Sequence, residues 1–144
     1  YENSSKNKEK NIMDKPVFRL TKSELEIMEV LWKEEKPLSR SFILSHALHR
    51  TWKDSSIHIL LNSMLDKGAI QIEGFEQTGR RIARTFVPTL TANEYYAMII
   101  KTSDAYHEEN LPELLSALLE DVNDKAILKQ MTKIIREKEK QLDA

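Results

Sequence analysis

Residues 54–70, DSSIHILLNSMLDKGAI, place Ile57, Leu60, Leu61, Met64 and Leu65 at i, i+3, i+4, i+7 and i+8. That spacing makes one face of an α-helix. Ser55, Ile59, Asn62 and Asp66 project to the opposite side, with Ser56, Ser63 and His58 on the flanks. A solvated helix carries long charged side chains there; this one carries short, mostly neutral groups. Such a face suits the reading of base edges. Hydroxyls and amides donate and accept, an exposed isoleucine can touch thymine methyls, and asparagine can pair with adenine. Ser55, Ser56, His58, Ile59 and Asn62 are therefore the candidate base-facing residues. Asp66 lies a turn further on, away from that surface. Arg80, Arg81 and Arg84 cluster in a second stretch, TGRRIAR, and Lys53 precedes the helix. Guanidinium and ammonium groups so placed could hold phosphates on either side of the reading face.

Other chemistries find little support. The chain has no cysteine, which removes disulfides, zinc–cysteine sites and thiol catalysis. His46 and His49 stand three apart but lack a third ligand, so neither metal nor cofactor is expected. No Ser/His/Asp order, glycine-rich phosphate loop or carboxylate pair suggests an enzyme. No apolar run approaches the ~18 residues a membrane span requires, and a cytoplasmic location is expected. The net charge of −1 hides an uneven distribution. Residues 1–90 hold 15 Lys and Arg against 12 Asp and Glu, whereas residues 91–144 hold 7 against 11. The front half could face an anion; the back half is acidic.

The elements that must position these residues follow from periodicity and caps. Residues 1–15 read as a leader without fixed structure, polar and aperiodic through residue 12. The stretch TKSE at 21–24 is a capping box that opens a first helix carrying Leu25, Met28, Leu31 and Trp32. Ser39 or Ser41 caps a second helix to about His49, and Asp54 or Ser55 caps the third, which Gly68 ends. Alternation through Ile70 and Ile72, a turn at Gly79, and alternation through Ile82, Arg84 and Phe86 predict a hairpin closed by Pro88. Three helices closed by an arginine-tipped hairpin form a winged helix-turn-helix over residues 16–90.

Helices of roughly 92–107, 110–120 and 124–141 follow, starting from a second capping box at Thr91–Glu94. Their apolar residues are Tyr95, Met98, Ile99, Leu111, Leu114, Leu115, Leu118, Leu119, Ile127, Met131, Ile134 and Ile135. Short helices this apolar need a surface to cover them. Residues 91–144 are accordingly expected to form a helical dimerisation region, which would set two reading helices about one DNA turn apart on a palindrome. The fold class is thus mainly α with a small β-hairpin: a winged helix-turn-helix domain plus a C-terminal helical arm.

The segments LTKSELEIMEVLW (20–32), WKDSSIHILLNSMLDKGAI (52–70) and RTFVPTLTANEY (84–95) resemble the penicillinase-repressor family of bacterial regulators, the BlaI/MecI/CopY type. The resemblance runs in order over about residues 18–140. It implies a homodimeric repressor on a palindromic operator, in many members controlling β-lactam resistance and inactivated when a sensor-linked protease triggers cleavage of the arm. The family's reading helix offers Lys or Ser, Thr, an apolar residue, Lys or Arg, and Thr; Ser55, Ser56, Ile57, His58 and Ile59 stand at those positions. His58 thus replaces a long cation and Ile59 a hydroxyl. The copper-binding cysteines of some members are missing. The bond matching the cleaved Asn–Phe is Ala117–Leu118. Double-stranded operator DNA, a second copy of the chain and a sensor-linked protease are the expected partners, with no membrane. The reduced charge of the reading helix supports a second reading, a winged domain that binds protein rather than DNA.

Overall fold

The structure, a computed structural model, describes residues 15–144. The expected leader therefore falls, apart from Lys15, outside the described residues. Two compact units divide the chain, the first ending at Ser103 and the second spanning Asp104–Ala144.

In the first unit, α1 (Lys22–Glu34) begins with the capping box expected from its sequence. The Glu24 amide donates to Thr21 Oγ1 at 3.3 Å, and the Thr21 amide donates to Glu24 Oε1 at 2.8 Å. The helix ends at Glu35, which adopts a left-handed φ of 54°. Strand β1 (Leu38–Ser39) follows, and Ser39 caps α2 (Arg40–His46). The sequence carries no alternation that would announce β1: two residues are too few to show a period. Helix α2 stops three residues short of the expected His49. The Arg50 guanidinium takes the carbonyls of Leu44 at 2.8 Å and Ala47 at 3.1 Å, satisfying groups that a further helical turn would have used.

A 3-10 turn (Asp54–Ser56) runs directly into α3 (Ile57–Asp66). Neither Asp54 nor Ser55 caps it through a side chain, contrary to expectation; the Asp54 carboxylate is instead engaged by Arg50. The C-terminal end behaves as anticipated. Gly68 has φ of 78°, its amide donates to Leu65 O at 3.1 Å, and the Ala69 amide reaches Met64 O at 2.9 Å, a complete Schellman motif.

Strands β2 (Ile70–Thr78) and β3 (Arg81–Pro88) form the hairpin, and the sheet order is β1-β3-β2, all antiparallel. Ile72 pairs with Phe86 but Phe75 pairs with Arg84, so β2 carries one extra residue. Gly74 adopts φ of 86° in this bulge, and the Thr85 hydroxyl donates to Glu73 O at 2.6 Å across it. At the tip, only Gly79 of the two central residues has positive φ (64°), the pattern of a type II′ turn.

Helix α4 (Ala92–Lys101) opens with the second capping box and ends six residues before the expected 107. Its Tyr95 is 5 % exposed and stacks on Phe18 with ring centroids 5.6 Å apart. Around it the core gathers Ile27, Met28, Leu31, Leu38, Ile43, Ile57, Met64 and Phe86. The Trp32 indole N–H donates to Leu90 O at 2.9 Å, tying α1 to the end of the hairpin. Helix α4 thus belongs to the first unit, although the sequence reading grouped it with the helices that follow.

The second unit holds a 3-10 turn (Glu108–Asn110), α5 (Leu111–Leu119) with Pro112 in its first turn, and α6 (Lys125–Asp143) capped by Asp124. Neither α5 nor α6 has a buried residue.

Candidate nucleic-acid interface

Helix α3 turns its apolar stripe inward. Ile57, Leu61 and Met64 are buried, whereas Ser55, His58, Ile59 and Asn62 are exposed and Ser56 is half-buried. Ile59 is 73 % exposed. Lys53 stands exposed at the entrance to the 3-10 turn. The loop ahead of α3 is fixed from two sides. The Thr51 amide and hydroxyl donate to Glu26 of α1 at 2.9 and 3.0 Å, while Arg50 covers the Trp52 ring at 5.1 Å and pairs with Asp54. That ion pair leaves Asp54 partly neutralised at the start of the reading helix.

Between α3 and the hairpin lies an open cleft of about 470 Å³. Arg40 and Ser41 of α2, His58, Leu61 and Asn62 of α3, and Thr78, Arg81, Ile82, Ala83, Arg84 and Phe86 of the hairpin line it. Three arginines converge there and no carboxylate does. The cleft joins four of the residues proposed from sequence: His58, Asn62, Arg81 and Arg84. Ser55, Ser56 and Ile59 remain on the solvent side of the helix, and Arg80 sits at the hairpin turn.

Seven lining residues are not among those the sequence proposes for the site: Leu61, Thr78, Ile82, Ala83 and Phe86, and from α2 Arg40 and Ser41. The guanidinium of Arg40 hydrogen-bonds His58 Nε2, so that nitrogen serves as an acceptor and the ring is oriented from the neighbouring helix. The available signal for Arg40 and Ser41 was positional: both follow the Ser39 cap, in the first turn of the helix that precedes the reading helix. Arg84 extends over the Phe86 ring, its guanidinium carbon 5.6 Å from the centroid.

A larger hollow, about 700 Å³, lies where α1 ends and α4 begins. Glu35, Glu73 and Glu94 line it beside Lys36, so it repels the phosphates that the arginine cleft attracts. On the far end of α3, Lys67 Nζ meets the Glu24 carboxylate at 2.6 Å and Arg19 O at 2.9 Å. Burial on its own would raise the Glu24 carboxyl. Bonds from Lys67, from the Thr21 amide and from the Ser63 and Thr21 hydroxyls outweigh it and hold the group below its ordinary 4.5.

His46 lies against the Phe42 ring and hydrogen-bonds around Phe42 O, and no cluster of three metal-ligating side chains occurs among the described residues. No helix among them is long and apolar enough to cross a membrane.

The residues proposed for dimerisation divide in two. Tyr95 is committed to the first unit's core, with Met98 and Ile99 half-buried against it. Leu111, Leu118, Ile127, Ile134 and Ile135 are exposed, while Leu114, Leu115, Leu119 and Met131 are half-buried.

Residues 20–137 match the penicillinase repressor family. No curated protein matches the chain. Among solved structures, it is similar to the monomeric form of Bacillus licheniformis BlaI in complex with the blaP half-operator, with 22 % identity and a TM-score of 0.42, over 55 % of this chain and 90 % of that one. It is also similar to Bacillus subtilis PadR in complex with operator DNA, with 16 % identity and a TM-score of 0.45, over 88 % and 73 %. A third is the adhesin competence repressor AdcR from Streptococcus pyogenes, with 13 % identity and a TM-score of 0.40, over 99 % and 95 %.

Proposed function

The chain belongs to the penicillinase repressor family and is a DNA-binding transcriptional regulator, and on that premise we propose that it represses as a cytoplasmic homodimer on a palindromic operator. The observation that carries the reading is the cleft between α3 and the hairpin: three arginines, a histidine and an asparagine around one concavity, without a carboxylate. Ser55, Ser56, His58, Ile59 and Asn62 face the bases of a major groove. Lys53, Arg40, Arg80, Arg81 and Arg84 hold the phosphates on either side and set the helix in register. The winged-helix residues, 16–90 with α4 packed on them, do the reading. The arm from Asp104 onward joins two copies through its exposed leucines and isoleucines. Two reading helices then meet two half-sites, and occupation of a promoter excludes the polymerase.

Family membership extends the proposal to control of β-lactam resistance genes and to release by a sensor-linked protease. Ala117 and Leu118, at the position of the cleaved bond, are exposed but lie inside α5. A protease must unwind that helix before it can cut.

Selection of bound duplexes from a random pool tests the core of the reading. A recovered palindrome, bound with an affinity that falls steeply as salt rises, is the expected result. Failure to retain any duplex at low salt, with a protein captured instead through an intact wing, would establish the interaction-module alternative.

A further inference from the structure

The face of β3 that carries Phe86 continues outward through Arg84 to Ile82, because alternate residues of a strand share a face. Phe86 is 2 % exposed and belongs to the core; Ile82 is 70 % exposed. All three line the cleft together with His58 and Asn62. The wing therefore delivers an isoleucine to the mouth of the same concavity in which the reading helix presents its polar groups. Its cross-strand neighbour is Gln77, which offers no apolar cover.

The partner that covers Ile82 must offer apolar surface and negative charge within a few ångströms, since Arg81 and Arg84 flank the isoleucine and no carboxylate lines the cleft. An apolar protein patch would leave both guanidiniums without partners. A nucleic-acid groove satisfies all three, with sugar and base faces between two rows of phosphates. The minor groove is too narrow for a helix but admits single side chains from a strand or arm.

We propose that Ile82 is an apolar wedge that enters the minor groove next to the segment read by α3 and partly unstacks one base step. Arg81 and Arg84 hold the phosphates on its two sides. This rests on the DNA-binding reading above and adds a second source of specificity. Flexible pyrimidine–purine steps unstack at low cost, so the wing selects TA or CA at its contact without a hydrogen bond to either base.

The test uses the full chain and the duplex recovered by selection, with 2-aminopurine placed at successive steps beyond the α3 contact and with end labels that report bending by energy transfer. The expected result is a rise in 2-aminopurine emission at one step and a shortened end-to-end distance. Ile82→Ser binds about tenfold more weakly and loses both signals. Its salt dependence is unchanged, because no charge has been removed. Ile82→Leu restores both. Phe75→Ser removes a side chain of similar exposure, 69 %, that lies outside the cleft, and it retains both signals. Tight binding by the unaltered chain with a straight, fully stacked duplex overturns the wedge, as does a bend that survives Ile82→Ser. Failure of the unaltered chain to bind any duplex overturns the DNA reading itself, and the wedge with it.

Discussion

The two units solve the problem of apolar surface in opposite ways. The first closes on itself: Ile27, Met28, Ile43 and Met64 are completely buried, and seventeen apolar residues form a single core. The second contains Leu111, Leu118, Ile127, Ile134 and Ile135, all exposed, and buries no residue in either helix. A core is worth having only if something covers it. In the first unit the cover is the chain's own sheet and helices, whereas these side chains of the arm are exposed. The contrast teaches that amphipathic pattern marks what must be buried without saying by what. Tyr95 and Leu118 both fall on the apolar stripe of a helix, yet Tyr95 is buried inside its unit and Leu118 is exposed.

Truncating one large side chain in each unit separates them most sharply. Phe86→Ala removes a ring that is 2 % exposed and joined to the cores of β1 and β2. It should cost about 4 kcal/mol, a large fraction of the stability of an ordinary domain, and thermal denaturation followed by circular dichroism should show it melted well below the unaltered protein. Ile134→Ala should leave the melting of the first unit within about 0.5 kcal/mol, the usual range for exposed positions. A large loss of first-unit stability from Ile134→Ala would break the comparison. The next effect tests the proposed self-association. Ile134→Glu, which puts a charge into the arm's exposed stripe, should weaken it about 100-fold by sedimentation, with the first unit's melting unchanged.

Much of this was legible beforehand, for identifiable reasons. Both Thr-x-x-Glu capping boxes, the Schellman glycine at 68 and the hairpin turn at Gly79 are local chemistry, complete within a few residues. The inward face of α3 follows from its period. Strand β1 was not legible, since two residues show no alternation and the strand exists only through its pairing with Thr85 and Phe86. The early end of α2 depends on Arg50 reaching back to carbonyls, and the absent side-chain cap of α3 depends on the same arginine engaging Asp54. Arg40 entered the cleft unannounced because its role is to touch His58, eighteen residues away. Strand β1 and the Arg40–His58 contact depend on distant partners, whereas the Arg50 contacts are local but follow no recurrent capping pattern.

The units also differ in buried charge, because the first contains Glu24 and the arm's helices bury no residue. The Glu24 carboxylate is 1 % exposed; Lys67 and the Thr21 amide both bond Oε1, while Oε2 has no hydrogen-bond partner. Glu24→Gln keeps a hydrogen-bonding group but loses the charge, and should cost about 1–2 kcal/mol at neutral pH. The folded-state pKa lies below 4.5, so the ion pair stabilises the fold fully above that value. As pH falls through the lowered pKa, the carboxylate takes up a proton and the advantage fades. The gap between the unaltered protein and Glu24→Gln should therefore close on acidification below pH 4.5 in chemical denaturation. A gap independent of pH would mean that packing, not charge, makes the difference.

The finest distinction concerns which cations meet DNA. By sequence arithmetic the back half is acidic, yet the acid is concentrated in residues 104–124, with seven Asp and Glu and no Lys or Arg. Helix α6 carries six Lys and Arg against three acids, so charge alone would make it as plausible a phosphate ligand as the wing. Position separates them. Arg81 lines the cleft with His58 and Asn62; Lys129 lies on α6 among Lys133, Arg136 and Glu137. Each phosphate neutralised on a duplex contributes about 0.9 to the slope of log affinity against log salt. Arg81→Ala should lower that slope by about 0.9 per half-site, roughly a threefold change in affinity between 50 and 200 mM salt. Lys129→Ala should leave the slope where it was. If the two variants lower it equally, phosphate contact is not confined to the first unit, and the arm would hold DNA as well.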